Sequence, residues 1–484
     1  MKEKNENSIE KTVGGSCHES GVSTMVTLFV VSAVQFLAPF MMSSVGVALP
    51  AIGREFSASA AQLSIIETVY ILPFSLFLLP AGRLGDIYGR KKIFTTGICV
   101  FILGTLIVSM APTMELFILF RFFQGSGGAM ITGTSVAILS SVFPPAKRGK
   151  AMGVIVAFVY LGLSLGPVLS GFMVTHLGWR WIFYLGVFVE LVALYLTVFK
   201  LKGEWADARG ERFDVVGALV YCISLFCLTV GVLNQDKGVT YVIMMLGGLG
   251  GMLAFLVLES LTESPIFDVS LIFRNRIFAF SNLATLINYA ASFGIAFFFS
   301  LYLQWVKGFT PQKAGLILIV QPLFQMALSP YFGKLSDRIS APALATTGMA
   351  ICAMGLALAT QIGPPTPLWA VMVILGIMGS GFGMFSSPNM AVVMGSVKPK
   401  QYGVASGFTA TMRNLGMLLC MTLITLIFHR KMGSQAVSHG SRELFMESMH
   451  LSMMIFTGLS LVGVLASLGR IRAPRETGAE KKSD

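Results

Sequence analysis

The chain repeatedly runs for more than twenty residues without a charge: Thr24 to Gly53, Ile93 to Met114, Phe122 to Ala146, Ala151 to Trp179, Val215 to Gln235, Gly238 to Leu258 and Ile277 to Val306. A helix needs only ~20 apolar residues to cross the ~30 Å of a bilayer's hydrocarbon. Lipid gives backbone N–H and C=O groups no partner, so a spanning chain must be a helix or a closed barrel. Barrel strands are about half as long and alternate in character. These runs do neither, and the expectation is an all-α integral membrane protein. Composition agrees, with 55% hydrophobic and 12% charged residues, where a soluble domain is ~45–50% apolar.

Cutting the runs at Gly, Pro and charged turns predicts fourteen spans, at 24–50, 60–82, 92–111, 115–141, 149–173, 180–200, 215–233, 240–260, 277–305, 312–333, 342–361, 367–394, 403–428 and 448–470. An even number puts both termini on one side. The loops after even-numbered spans hold 17 Lys/Arg, among them Arg83, Arg90, Lys91 and Lys92, against 8 in the opposite loops. By the positive-inside rule both termini are cytoplasmic in a cytoplasmic membrane. The net charge of +12 then reflects topology and contact with anionic head groups rather than nucleic-acid binding.

Several function classes fall away. The first apolar run is too long for a cleavable signal and follows a polar tail of about 23 residues. Cys99, Cys222, Cys227, Cys352 and Cys420 lie singly in apolar helices, with Cys17 in the tail, and suggest no metal site. His176, His429, His439 and His450 fall near span ends and form no catalytic set. No P-loop is present, so no cofactor is expected and an ion gradient is the available energy source. A non-transporting membrane sensor is disfavoured by tails too short to carry a signalling domain.

"GRLGD" (82–86) and "GKLSD" (333–337) close spans 2 and 10 in the same way. Their separation fits two six-helix halves in parallel repeat once a two-helix insert is removed, an architecture of secondary transporters. The expected organisation is a tail (1–23), a first half (24–200), a linker and insert (201–276), a second half (277–470) and a tail (471–484). The polar segment "GEWADARGERFD" (203–214) leads into the insert, whose helices are read as free of buried charge.

Four ionisable residues fall well inside predicted spans: Glu67, Arg121, Glu190 and Arg413. Such groups cost ~3 kcal/mol or more at the bilayer centre and face a protein interior or a water-filled cavity. Glu67 shares a stripe with Ser64, Thr68 and Ser75, and Arg121 shares one with Gln124, Gly125, Gly128, Thr132 and Ser135. Both lie about 10 Å from the outer ends of their helices at 1.5 Å per residue, at one level. They either form a structural ion pair or bracket a carboxyl that takes up and releases a proton. Glu190, with few polar neighbours in sequence, reads as structural or as a second proton carrier. Arg413 either holds an anionic substrate group or meets a structural carboxylate, with Asn288, Tyr289 and Gln325 as further polar residues on a substrate route. Gly162, Gly166 and Ser170 permit close approach of a neighbouring helix, and Pro167 permits a bend.

Together these segments resemble the major facilitator superfamily, and within it the fourteen-helix drug:proton antiporter branch. "GRLGDIYGRKK" (82–92) resembles its cytoplasmic gating loop at Gly82, Asp86, Gly89, Arg90 and Lys91. "RFFQGSGGA" (121–129) resembles its helix-4 motif, and "GLSLGPVLSG" (162–171) its antiporter motif at Gly162, Gly166, Pro167 and Gly171, with Ser170 for a usual glycine. "WRWIF" (179–183) and "SPNMA" (387–391) are similar to that branch too. The resemblance implies a monomeric transporter that exports small amphipathic compounds in exchange for protons by alternating access; a uniporter or importer of an organic anion is the rival on the same fold. It also implies a carboxylate in helix 1, where this chain has Met41, so either coupling has moved, to Glu67 first and Glu190 second, or the protein is not proton-coupled.

Overall fold

The computed structural model describes residues 24–262, 265–267, 269–398, 401–433 and 441–470. Both tails, with Cys17, and the residues Lys400 and His439 lie outside the described residues. The long helices are α1 (Thr24–Glu55), α2 (Ala60–Tyr88), α3 (Arg90–Ser109), α4 (Met114–Val142), α5 (Pro145–His176), α6 (Arg180–Phe199), α7 (Val215–Asn234) and α8 (Val239–Leu261). They continue with α9 (Arg276–Val306), α10 (Pro311–Leu335), α11 (Ala341–Ala359), α12 (Leu368–Gly395), α13 (Tyr402–Met432) and α14 (Arg442–Leu468). No strand occurs among the described residues.

Of these helices, thirteen are long and apolar enough to cross a membrane. The exception is α4, whose 29 residues suffice in length but include Gly125, Gly127, Gly128, Gly133 and Arg121. Those glycines let α4 lie tight against α2 and α3, so protein rather than lipid faces its polar side: a β-carbon on Gly127 would stand 2.7 Å from the Gly97 carbonyl oxygen.

Local chemistry sets the helix starts. Ser59 and Gln62 cap α2 reciprocally, Ser59 N–H donating to Gln62 Oε1 at 2.9 Å and Gln62 N–H to Ser59 Oγ at 3.2 Å. Asp214 accepts the Gly217 N–H at the start of α7 at 2.8 Å, and Thr310 with Pro311 opens α10. Gly82 and Asp86, expected in a loop, instead lie in the last two turns of α2, and Gly89 alone makes the turn into α3. Its φ of +121° is open to glycine and strained for other residues.

Packing repeats at an interval of eight helices. The pairs α1·α5, α2·α4, α3·α4 and α3·α6 recur as α9·α13, α10·α12, α11·α12 and α11·α14. The two sets meet where α2 packs on α13 and α5 on α10, contacts that exchange with each other under the same shift. Helices α7 and α8 pair with each other and lean on α2, with the Tyr221 hydroxyl donating to the Ser75 carbonyl at 2.6 Å. The α7–α8 pair does contain a buried ionisable residue, contrary to expectation: Glu259 at the end of α8 is 2% exposed and accepts the Phe267 N–H at 3.3 Å. The chain folds back there, which hides a side chain that looks terminal in the sequence.

Candidate functional site

A polar chain runs through the interior of α1–α6. The Arg121 guanidinium, fully buried, donates from Nη1 to Gln124 Oε1 at 2.6 Å. Gln124 Nε2 donates to Thr105 Oγ1 at 2.7 Å, and Thr105 Oγ1 lies 2.9 Å from Glu190 Oε1. Three helices thus present one line of four side chains, each 0% exposed. The single hydroxyl proton of Thr105 has two acceptors, Glu190 Oε1 and the Phe101 carbonyl at 2.8 Å. When Glu190 is charged the proton points to it; when Glu190 carries its own proton, that proton can be donated to Thr105 and the hydroxyl can turn to Phe101. A change of protonation is thereby written into the orientation of one bond.

Glu67 lies at the level of Arg121, as counting along the helices predicts, but no ion pair within 4 Å joins them among the described residues. Arg121 instead stacks over the Tyr70 ring, 4.0 Å from its centroid, a desolvated cation–π contact worth about 2 kcal/mol. Both Glu67 carboxyl oxygens, Arg121 Nε and Nη2, and Glu190 Oε2 are buried without a hydrogen-bond partner. The direct ion pair held open in the sequence is absent; two carboxyl groups flank one arginine, and one of them is wired to it. Glu190, expected to lack polar neighbours, has Thr105 from a helix some eighty residues upstream.

Met41 belongs to the same place. A β-carbon on Gly186 would lie 2.8 Å from Met41 Sδ, 3.4 Å from Thr105 Cγ2 and 3.5 Å from Glu190 Oε1. The thioether of α1 and the carboxyl of α6 therefore converge on one spot, with Gly186 leaving room for both.

The Gly82–Lys91 segment is held by protein more than by solvent or lipid. Arg90, only 7% exposed, pairs with Asp86 Oδ1 at 2.6 Å and Asp207 Oδ2 at 2.8 Å, and also donates to Ser141 Oγ. Asp86 is thus engaged by Arg90 within the same turn. The acid at the start of α3 is Glu204, which accepts the Lys91 N–H at 2.8 Å and leaves no space for a side chain at Gly89. With Arg83–Glu211 at 2.5 Å, the 203–214 linker forms an acidic strap over this turn.

In α5, Gly162 and Gly166 face α1, where Ser43 Oγ and Ser44 Oγ donate to their carbonyls, each at 3.3 Å. Gly171 meets the Pro311 carbonyl across the junction with α10, and Gly315 in turn meets the Pro167 carbonyl. The 162–171 segment thus packs against α1 at one end and along the seam with α10 at the other. Among the described residues, five of the six hydrogen bonds that cross the junction lie toward the end of the bundle away from Gly89: Ser300 to Gly46 O, Gln304 to Val47 O, Gln312 N–H to Thr175, His176 with Gln312, and Thr68 with Thr425. The sixth, Tyr160 with Ser386 at 3.0 Å, is near mid-height. No such bond joins the Gly89 end among the described residues.

Of the residues expected on a substrate route, Tyr289 and Arg413 come together: Tyr289 packs on α13 one turn from Arg413, where a β-carbon on Gly416 would stand 3.0 Å from Tyr289 Cβ. Asn288 and Gln325 are buried, but no hydrogen bond brings them to that pair among the described residues. Trp179 and Arg180 of "WRWIF" grip Glu55 at the end of α1, at 2.7 and 2.6 Å. Asn389 of "SPNMA" donates to Thr285 Oγ1 at 2.9 Å and accepts from Arg470, whose guanidinium burial pushes down to about 10 and so leaves charged at neutral pH. Thr105, Tyr70, Tyr160, Ser386 and Arg470 were not foreseen, because threonine, tyrosine and serine are unremarkable in membrane helices until a partner is known.

The Major Facilitator Superfamily profile matches residues 31–421 and also 282–483. The riboflavin transporter RibZ of Clostridioides difficile is 27% identical over 448 residues, 92% of this chain and 96% of that protein. The multidrug resistance protein Stp of Mycobacterium tuberculosis is 30% identical over 377 residues, 77% of this chain and 70% of that protein. Among solved structures, the POT family transporter PepTSo superimposes with a TM-score of 0.67 at 12% identity, covering 92% of this chain and 97% of that one, which speaks to the fold. A bundle of apolar helices in two sets joined along a glycine-lined seam, with a profile match across most of its length, makes this multi-pass chain a transporter of the Major Facilitator Superfamily.

Proposed function

We propose that the chain is a fourteen-span drug:proton antiporter of the cytoplasmic membrane, both termini cytoplasmic, that exports small amphipathic organic compounds as a monomer. Helices α1–α6 and α9–α14 are the two rocking halves and α7–α8 the insert. The observation that carries this reading is the buried line Arg121–Gln124–Thr105–Glu190 with Glu67 beside it: two carboxyl groups, one fixed cation and a hydroxyl that can turn with the state of the carboxyl. Such a set has no evident use in a passive conduit, because ionisable groups in a membrane interior are costly and mark ion pathways. With five cross-junction bonds at the outer end, the described arrangement corresponds to a cytoplasm-open state, and the Arg90–Asp86–Asp207 cluster belongs to the gate on that side.

The relatives' names support the substrate class: one is a multidrug resistance protein and another a riboflavin transporter. The rival, a uniporter or importer of an organic anion, draws on Arg413. Purified protein in proteoliposomes, screened for transport with and without an imposed pH gradient, separates them. Substrate-linked proton movement supports antiport, and transport with no pH change removes it.

A further inference from the structure

The first six helices answer their interior arginine with two carboxyl groups; the last six leave theirs unanswered. Between residues 277 and 470 the acidic residues are Asp337, just past the end of α10, and Glu443 and Glu447, in the first two turns of α14. Arg413 sits eleven residues into α13, and no carboxylate lies within 4 Å of it among the described residues. Unlike Arg121, it is only partly buried. Its surroundings are aromatic. Tyr289 of α9 packs on α13 one turn from it, where a β-carbon on Gly416 would stand 3.0 Å from Tyr289 Cβ, while Phe382 of α12, one turn from Ser386, stands edge-to-face with Tyr289 at 5.5 Å. Tyr160 crosses from the other helix set to Ser386, so the group lies on the junction between the sets, near mid-height.

We propose that Arg413, Tyr289, Tyr160, Phe382 and Ser386 form the substrate site, and that it takes a flat aromatic compound bearing one acidic group, a carboxylate or sulfonate. The guanidinium's planar fork suits two oxygens of such an acid, and the rings offer faces and edges to an aromatic body. The ligand supplies the counter-charge that the protein omits. Because Tyr160 and Ser386 belong to different sets, a ligand between them displaces or bridges a contact that holds the sets together at this height, which couples occupancy to rocking. This inference rests on the transporter reading and narrows its substrate class.

The test uses equilibrium binding, which needs no gradient. Full-length protein in nanodiscs of zwitterionic lipid is titrated with three fluorescent probes that share one ring system: 9-anthracenecarboxylate, 9-anthracenemethanol and 9-anthracenemethylammonium. Wild type is expected to bind the carboxylate roughly tenfold or more tightly than the other two, the range of a hydrogen-bonded charge pair. Arg413→Gln is expected to abolish that preference while leaving the alcohol unchanged, and Arg413→Lys to retain part of it, since the charge stays and the fork is lost. Equal binding of the three probes by wild type, no binding of the carboxylate, or a preference that survives Arg413→Gln overturns the assignment. The wild-type comparison stands even if the variant fails to fold. Absence of an anion preference in the wild-type protein with intact proton-driven transport sinks this site and leaves antiport standing; the opposite pair of results does the reverse.

Discussion

Replacing Thr105 by valine removes one oxygen from the centre of the buried line and little else, since the two side chains share a shape. The hydroxyl accepts from Gln124 at 2.7 Å and faces Glu190 at 2.9 Å, and both partners are 0% exposed, so water cannot fill in. A hydrogen bond to a charged group is worth ~1.5–3 kcal/mol, and a buried donor left unpaired costs ~1–3 kcal/mol more. If the bond to Glu190 forms as its proton leaves, Thr105→Val slows the proton-releasing step by the first figure, roughly 10- to 150-fold at 1.36 kcal/mol per decade. The assay is substrate movement in proteoliposomes, driven by a pH gradient in one arm and by substrate exchange at equal pH in the other. The first arm is expected to fall by that factor and the second to hold, with Thr105→Ser close to wild type in both. A Thr105→Val protein that keeps its proton-driven rate within about twofold refutes the role given to this bond.

Glu67→Gln is expected to abolish pH-driven transport and leave substrate exchange intact; unchanged pH-driven uptake in inverted vesicles sinks the coupling role. Glu190→Gln is expected to do the same, and the double variant to be no worse than either, because groups acting as one unit are not additive. Gly89→Ala, at φ +121° against Glu204, is expected to cost ~1–3 kcal/mol, read as a lower unfolding midpoint, whereas Glu204→Ala uncaps α3 and lowers the maximal rate without changing substrate affinity. Cysteines at Thr175 and Gln312, whose groups now bond at 3.1 Å, are expected in a cysteine-free background to crosslink under oxidant and to stop transport until reduced; full activity in the crosslinked form contradicts the proposed rocking of the two sets.

How much of this was legible in the sequence follows the range of the physics. Hydropathy is local, so helix positions emerged to within a few residues, glycine-rich α4 included. Depth along a helix is arithmetic, so Glu67 and Arg121 were placed at one level. Whether they touch depends on rotation about two axes, and Arg121 turned to Tyr70. Glu190 looked isolated because its partner Thr105 is 85 positions away, and nothing in a stretch of valine and leucine announces a threonine on another helix. Asp86 was expected in a gating loop from the motif alone, whereas Glu204 reaches the start of α3 only through the fold of the linker. Tyr289 and Arg413 were selected as polar residues in apolar surroundings, and the aromatic company that gives them meaning came from two other helices.

The unmatched charge of Arg413 also bears on what drives the cycle. An acid carried outward moves negative charge out, and a proton entering in exchange moves positive charge in; electrically both are the same displacement. Each charge gains ~2.3 kcal/mol from 100 mV, inside negative, so one turn collects ~4.6 kcal/mol, enough for a concentration ratio on the order of 10³. A neutral substrate collects half as much. A cation exchanged for one proton collects none and depends on the pH difference alone. With an acidic aromatic cargo the protein would keep pumping on the electrical potential after the pH difference has collapsed, and ionophores that dissipate one component of the proton gradient at a time distinguish that behaviour directly.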